Sequence, residues 1–307
     1  MNIMGKRNWF FIISGIIALA CIISLATTGL KTGIEFSSGS ILNITFNNPV
    51  DKSALRQELD KAGYKGALIQ TAGNESRDFI IRLPALDDAA KIALVNDLQA
   101  SLGDFKENEF DKISAMIASE TSRNAAIAVV IAVVAMLLYI AWAFRRMPSP
   151  FHFGVCAIAG LVFDTLLALG IFSILGGILG WEINLMFITG VLAVIGYSIN
   201  NTIIVFDRIR ENVSRGISAD FAVVVNRSIV ETLGRSFNTS LTTLFTLFAL
   251  LLFVGASIQN FVVVLIIGVL AGIFSSTCIS PGLLVTWQKR ELSKKVRAGA
   301  EAARVRS

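Results

Sequence analysis

Four polar side chains fall inside segments that are otherwise apolar. They are Asp164 in "GLVFDTLLALG", the adjacent amides Asn200 and Asn201 in "GYSINNTIIVFDRIREN", and Arg235 in "ETLGRSFNTSLTTLF". An ionisable group within a membrane span costs about 2.5–3.5 kcal/mol on insertion scales, so each is a candidate for ion handling or for pairing with a partner. A carboxylate can exchange a proton, an arginine can neutralise an acid, and an amide oxygen can ligate a hard cation such as sodium. Local explanations compete with these. Asn200 and the run Asn238, Thr239, Ser240, Thr242, Thr243 can glue helices through hydrogen bonds. Arg235 can extend to the headgroups or pair with Glu231, four residues earlier. Asp207, Arg208, Arg210 and Glu211 read as a solvated helix end with i,i+3 pairs.

Other chemistries find little support. Cys21, Cys156 and Cys278 are far apart in apolar stretches, so they read as small buried hydrophobes rather than a disulfide or metal framework. The single histidine, His152, excludes a multi-histidine metal site and reads as an interfacial loop residue beside Pro148 and Pro150. No nucleophile–base–orienter set and no glycine-rich phosphate loop is visible, so no enzymatic activity and no bound cofactor are expected.

The elements that hold these residues follow from composition. With 54% hydrophobic and 16% charged residues the chain reads as a multi-span membrane protein. Six windows are long enough to cross a bilayer: 9–29, 124–144, 152–176, 183–206, 235–256 and 260–287. The first reads as an uncleaved anchor. The net charge of +5 arises beside the spans, which points to topology rather than nucleic-acid binding. Lys6 and Arg7, Arg145 and Arg146, Arg208, Arg210, Arg215 and Arg227, and the tail from Lys289 to Arg306 all fall on one side if the spans alternate. That side is the cytoplasm, with both termini in it. The opposite side holds short connections near 177–182 and 256–259 and one large segment, 30–122.

The large segment reads as a soluble module. "SILNITF" alternates like a strand, and "DKSALRQELDKAG" has helical spacing. "ALIQTAG" and "DFIIRLP" form a strand pair around the turn at 73–76, and "DDAAKIALVNDLQASLG" is a second helix. "FKENEFDKISAMI" supplies a last strand. The order βαββαβ is the split-βαβ, ferredoxin-like pattern. Residues 218–233 begin with an N-cap at Ser218 and are expected to run along the cytoplasmic face into the fifth span. The resulting organisation is a first helix over 1–29, an external ferredoxin-like domain over 30–122, five more helices over 123–288 with a cytoplasmic loop at 207–234, and a basic tail over 289–307. Asn201 and Arg235, near the same ends of consecutive spans, are expected at similar depth on facing helices.

At these residues the chain resembles the SecF family over nearly its whole length. "GYSINNTIIVFDRIREN" is similar to the family's GYS-x-N-D-T…FDRIREN, which takes in Gly196, Tyr197, Ser198, Asp207, Arg208, Arg210 and Glu211. "TLGRSFNTSLTTLF" resembles TL-x-R-T…TS-x-TTL, with Thr239, Ser240, Thr242 and Thr243 at the matching positions. "GIEFSSGS" resembles GIDF-x-GG, carried by Gly33, Glu35, Phe36 and Gly39, and "GVLAGIFSSTCISPGLLVTW" resembles the final span's G-x-x-x-G-x-x-SS.

The resemblance implies half of a resistance-nodulation-division-like bundle, an α-helical polytopic membrane protein of six helices with a small α+β external domain. It implies a subunit that, with SecD, assists Sec-dependent export of preproteins across the plasma (cell inner) membrane, drawing on a proton or sodium gradient. Implied partners are SecD, the SecY–SecE–SecG channel, YajC and YidC, the translocating preprotein and the lipid bilayer. The family places an acid of its N-D pair and the arginine of TL-x-R-T in the ion pathway, opposite an acid of SecD. Here the acid position is Asn201, Arg235 is retained, and Asp164 is preceded by Phe163 where the family commonly has His. Ser38-Gly39 replaces a glycine pair, and Ile113-Ser114-Ala115 replaces Val-Gly-Pro. Arg235 facing an acid of the larger partner, with Asn201 as a neutral member and Asp164 as a second carboxylate, is the expected arrangement. An uncoupled scaffold of the translocon is the alternative, and a small-molecule or lipid exporter is a distant third, for which 30–122 leaves no room.

Overall fold

The computed structural model describes residues 2–72, 76–145, 150–253 and 256–290. Most of the turn expected at 73–76, Arg146, Pro148 and the tail beyond residue 290 lie outside the described residues. Contacts divide the chain into two units. One comprises the residues up to Gly29, Val129–Leu175 and the residues from Met186 onward. The other comprises Leu30–Ala128 with Gly176–Leu185.

The second unit is the βαββαβ module. Its order is β1 (Gly39–Phe46), α3 (Lys52–Lys61), β2 (Leu68–Ala72), β3 (Asp78–Leu83), α4 (Asp88–Leu102) and β4 (Phe105–Ile113), preceded by a single turn, α2 (Ile34–Ser37). The strands form one antiparallel sheet in the order β2-β3-β1-β4, which is the ferredoxin-like arrangement. Period-two alternation in β1 places Leu42, Ile44 and Phe46 on one face, where each is almost fully buried. Leu55 and Leu59 of α3 and Leu94 and Leu98 of α4 repeat at i and i+4 and close over that face. Fully burying an aliphatic or aromatic side chain is worth about 1.5–3 kcal/mol, so this layer is the module's main stabilising term. Asp87 caps α4 by accepting the Ala90 N–H at 2.8 Å. Gly39 holds φ +139°, and a Cβ there would approach the Leu83 carbonyl oxygen to 2.7 Å. Only glycine suits that position.

Residues Gly176–Leu185 belong to this module, and they include the short connection expected near 177–182. Thr32 and Ile183 form a parallel bridge, and the Gly33 N–H donates to the Ile183 carbonyl at 2.8 Å. Arg82 of β3 forms an ion pair with the buried Glu182.

The first unit is helical: α1 (Arg7–Thr27), the greater part of α5 (Ala115–Ala143) and α6 (Pro150–Leu179), nearly all of α7 (Leu185–Ser214), α8 (Phe221–Phe253) and α9 (Ala256–Phe274). α9 passes through a π-helical turn, Ser275–Ile279, and continues as helix to residue 290. Among the described residues six helices are long and apolar enough to cross a membrane, and Leu252 and Phe253 are more than four-fifths exposed. Such surfaces are stable in hydrocarbon, not in water.

Glycines set the closest approaches. A Cβ at Gly170 of α6 would lie 2.8 Å from the Cys21 Cα of α1, and one at Gly268 of α9 would lie 2.0 Å from Val194 Cγ2 of α7. Small residues let spans pack backbone to backbone where no hydrophobic force drives them together.

Two expectations change here. Residues 218–233 are not a separate surface segment, because Phe221–Phe253 is one continuous helix. Its inward stripe, Val224, Ser228, Thr232, Ser236, Ser240, keeps helical spacing throughout, and Gly234 within it does not interrupt the ladder. The cap is Asp220, whose carboxylate accepts the Ala222 N–H at 2.9 Å, while Ser218 accepts from Asp220.

Candidate functional site

Asp164 is fully buried in α6, and its Oδ2 accepts hydrogen bonds from the hydroxyls of Ser198 on α7 and Ser275 at the π-helical turn, the latter at 2.7 Å. Its Oδ1 has no hydrogen-bond partner. One turn before Asp164, Gly160 packs against Ser280, whose hydroxyl is also buried without a partner. Asn201 sits one turn beyond Ser198, 1% exposed, and its Nδ2 has no hydrogen-bond partner. A Cβ at Gly272 would come within 3.9 Å of that nitrogen, so Asn201 lies against α9. Two helices and the π-turn of the last span thus meet at one carboxylate, and no cationic side chain among the described residues is bonded to it. π-turns inside helices occur frequently at functional sites, because the widened ladder leaves carbonyls for side chains. Ser276 and Thr277 donate back to the Ile273 carbonyl.

Arg235 does not face Asn201. It lies on the exposed side of α8 and makes no ion pair or hydrogen bond with any described residue. Asn200 is exposed on α7, and Asn238, Thr239, Thr242 and Thr246 continue the exposed polar side of α8 at helical spacing. The pair Asn200–Asn201 is therefore split, one amide outward and one inward, because successive residues point about 100° apart on a helix. The expected Glu231–Arg235 pair is also absent. Glu231 instead accepts from Arg208 at 2.7 Å, Arg227 at 2.9 Å and Asn212 at 2.8 Å. Those partners sit where the start of α8 meets the end of α7, so the acid has three donors there.

The remaining sequence candidates have mixed fates. Tyr197 hydrogen-bonds Ser240 at 2.8 Å, joining α7 to α8. Thr242 and Thr243 bond back to the Thr239 carbonyl within their own helix instead of gluing helices together. Asp207–Arg210 and Arg208–Glu211 form the expected i,i+3 pairs. Gly196 packs near Met136 of α5. In the module, Gly33 is pressed between the Glu35 carboxylate and the Ile183 carbonyl, and the Phe36 carbonyl accepts from Ser122 at 3.5 Å. Burial pushes the Glu35 carboxyl above the usual glutamate range, only partly offset by backbone hydrogen bonds and by Arg82. His152 is helical rather than in a loop, and its ring lies 4.4 Å from that of Trp287.

Sequence reasoning missed Ser275 as a ligand of Asp164 and missed the Arg82–Glu182 pair. The SS of the last span was visible, but nothing in the spacing tied it to α6. Among the described residues no cluster of His, Cys, Asp and Glu could hold a metal ion.

A six-helix membrane protein with a buried carboxylate, an outward arginine and a ferredoxin-like module is the class that fold and site define. Residues 94–290 match the family model for protein export membrane protein SecD/SecF, C-terminal. The chain is 38% identical to the protein translocase subunit SecF of Thermobaculum terrenum, over 95% of both proteins. It is 36% identical to that of Anaerolinea thermophila, over 99% of both. It matches the crystal structure of SecDF, a translocon-associated membrane protein from Thermus, with TM-score 0.84 and 31% identity over 94% of this chain. It spans only 39% of that SecDF chain, against nearly all of the SecF relatives. The chain belongs to the SecD/SecF family of protein-export membrane proteins and corresponds in extent to its SecF members.

Proposed function

We propose that this chain is the SecF-type half of a SecD–SecF assembly in the plasma membrane, and that it couples an ion gradient to late steps of preprotein export. It acts without enzymatic catalysis, its two termini lie in the cytoplasm and its module lies outside. The observation that carries the reading is Arg235, a cation on the exposed side of a spanning helix with no acid paired to it among the described residues. An arginine in that setting is stable when a partner's helix brings a carboxylate to it. Asn200, Asn238, Thr239 and Thr242 supply hydrogen-bonding groups along the same exposed side. SecD supplies the opposing acid, Asp164 is the ionisable group inside this chain, and Asn201 is a neutral member beside it. The SecY–SecE–SecG channel, with YajC and YidC, presents the preprotein.

The test uses inverted membrane vesicles carrying the chain with its SecD. Completion of a stalled export substrate is followed under an imposed proton gradient, then under sodium. The natural chain is expected to respond and Arg235→Ala is expected not to. A natural chain that ignores both gradients, with export unaffected by Arg235→Ala, establishes the second reading, an uncoupled scaffold. That reading draws its support from Asn201, which cannot exchange a proton in the physiological range. Recovery of a response on Asn201→Asp then marks the lost carrier.

A further inference from the structure

We propose that the cleft between the beginning of α6 and the end of the last helix holds one anionic phospholipid. The cavity measures about 570 Å³ and is walled by Val155, Cys156 and Ala159 on one side and by Leu283 and Trp287 on the other. That volume is in the range of ordinary small-molecule sites. Its polar groups are few. Cys156 is buried, and the hydroxyl of Thr286 is already given to the Gly282 carbonyl at 2.8 Å. The cation on the wall is Arg290, which makes no ion pair or hydrogen bond with any described residue.

Both walls are membrane-spanning helices, so an apolar cleft between them takes a hydrocarbon tail at little cost. The end where Arg290 stands is built as an interface. Trp287 lies over His152 at 4.4 Å and meets Phe151 edge-on at 6.2 Å, and tryptophan prefers the headgroup level of a bilayer. Lys289 is exposed beside Arg290. A zwitterionic headgroup would set its own cation against these charges. An anionic one places its phosphate on Arg290 and brings no positive charge with it. The acyl chain then runs along Val155, Ala159 and Leu283. The site is separate from Asp164 and Arg235, and the proposal does not depend on ion coupling.

The test reads Trp287 directly. The full chain with Trp287 as its sole tryptophan (Trp9, Trp142 and Trp181 changed to Phe) is placed in vesicles of phosphatidylcholine and phosphatidylglycerol in equal amounts. Bromine is carried on the acyl chains of one lipid or of the other. Quenching is expected to give phosphatidylglycerol about a fivefold advantage in relative binding, the worth of one well-placed basic side chain. Arg290→Gln is expected to bring that ratio to one, Arg290→Lys to keep most of it, and Ala159→Phe, which fills the cleft, to abolish it. Native mass spectrometry of the unaltered chain, released from the same vesicles, counts retained phosphatidylglycerol without any tryptophan change. A ratio of one in the natural chain overturns the proposal, as does a preference that survives both Arg290→Gln and Ala159→Phe. Absence of quenching by either lipid overturns it too, since a protein segment then covers the cleft.

Discussion

Ser275 donates a hydrogen bond of 2.7 Å to the carboxylate of Asp164, linking the π-helical turn of the last span to the middle of α6. With Ser198 on the same oxygen, that bond holds three spans around a carboxyl group that is fully buried in the helical unit. Ser275→Ala leaves the carboxylate a single donor and is expected to cost about 1–3 kcal/mol, read as a lower unfolding midpoint in detergent. Asp164→Asn replaces the buried carboxyl with a neutral amide and is expected to be neutral or stabilising by the same measurement. In vesicles with SecD, Asp164→Asn is expected to lose the response to the gradient. Export completion that stays gradient-dependent in Asp164→Asn would remove Asp164 from the ion pathway.

Arg235 gives the opposite pattern. Standing on an exposed face with no partner among the described residues, it contributes little to the isolated chain, so Arg235→Ala is expected to change stability by no more than about 0.5 kcal/mol. Its loss is expected to show in co-purification with SecD and in gradient-driven export. A large stability change in the isolated chain would mean that Arg235 is used within it.

Gly170 tests the packing of α1 on α6. A methyl group there meets the Cα of Cys21, which cannot move aside as a side-chain tip can. Gly170→Ala is expected to cost about 1–3 kcal/mol and to weaken a disulfide cross-link engineered between Ser24 and Ser173, whose hydroxyls now lie 2.9 Å apart. Gly15→Ala in α1, with open space around it, is the control and is expected to be silent.

The pair Arg82–Glu182 tests whether residues 176–185 belong to the ferredoxin-like module. Removing only the arginine deprives a buried carboxylate of its cation, and Arg82→Met is expected to cost about 3–5 kcal/mol. The double change Arg82→Met with Glu182→Leu is expected to recover most of that loss. Thermal unfolding of the four-member cycle checks it, and additive single effects would show that the two side chains act independently.

Glu35 sets a pH dependence in the same module. Its folded carboxyl titrates above the usual glutamate range, first because of burial. The folded state therefore holds the proton more tightly than the unfolded state does. Stability is expected to be greatest below the ordinary glutamate pKa and to fall as pH rises from there through the folded value. Glu35→Gln is expected to flatten that slope. Amide exchange of β1 and β3 in the full chain, corrected for intrinsic rates, reads it, and a slope unchanged in Glu35→Gln would assign it to another group.

Much of the architecture was legible in order and type. Two-residue alternation in β1, helical spacing in α3 and α4, and six apolar stretches each reflect short-range rules that act within a few residues. The ferredoxin-like sheet followed because the βαββαβ order leaves few ways to close one antiparallel sheet over two helices. The i,i+3 ion pairs at Asp207–Arg210 and Arg208–Glu211 were legible for the same reason. Glu231 was not, since its partners Arg208 and Asn212 come from another helix and outcompete Arg235, four residues away on its own.

By itself the sequence determined which residues are costly in a bilayer, because the price of a charge or amide in hydrocarbon belongs to the residue type. It therefore singled out Asp164, Asn200, Asn201 and Arg235. Only the tertiary structure decided their roles. The rotation of α7 sends Asn201 inward and Asn200 outward, and the rotation of α8 turns Arg235 away from Asn201, onto the exposed side of the helix. Those rotations are set by the full stripe of inward side chains and by the glycines that let helices touch. A contact such as Asp164 with Ser275, 111 residues apart, exists only once that packing is complete.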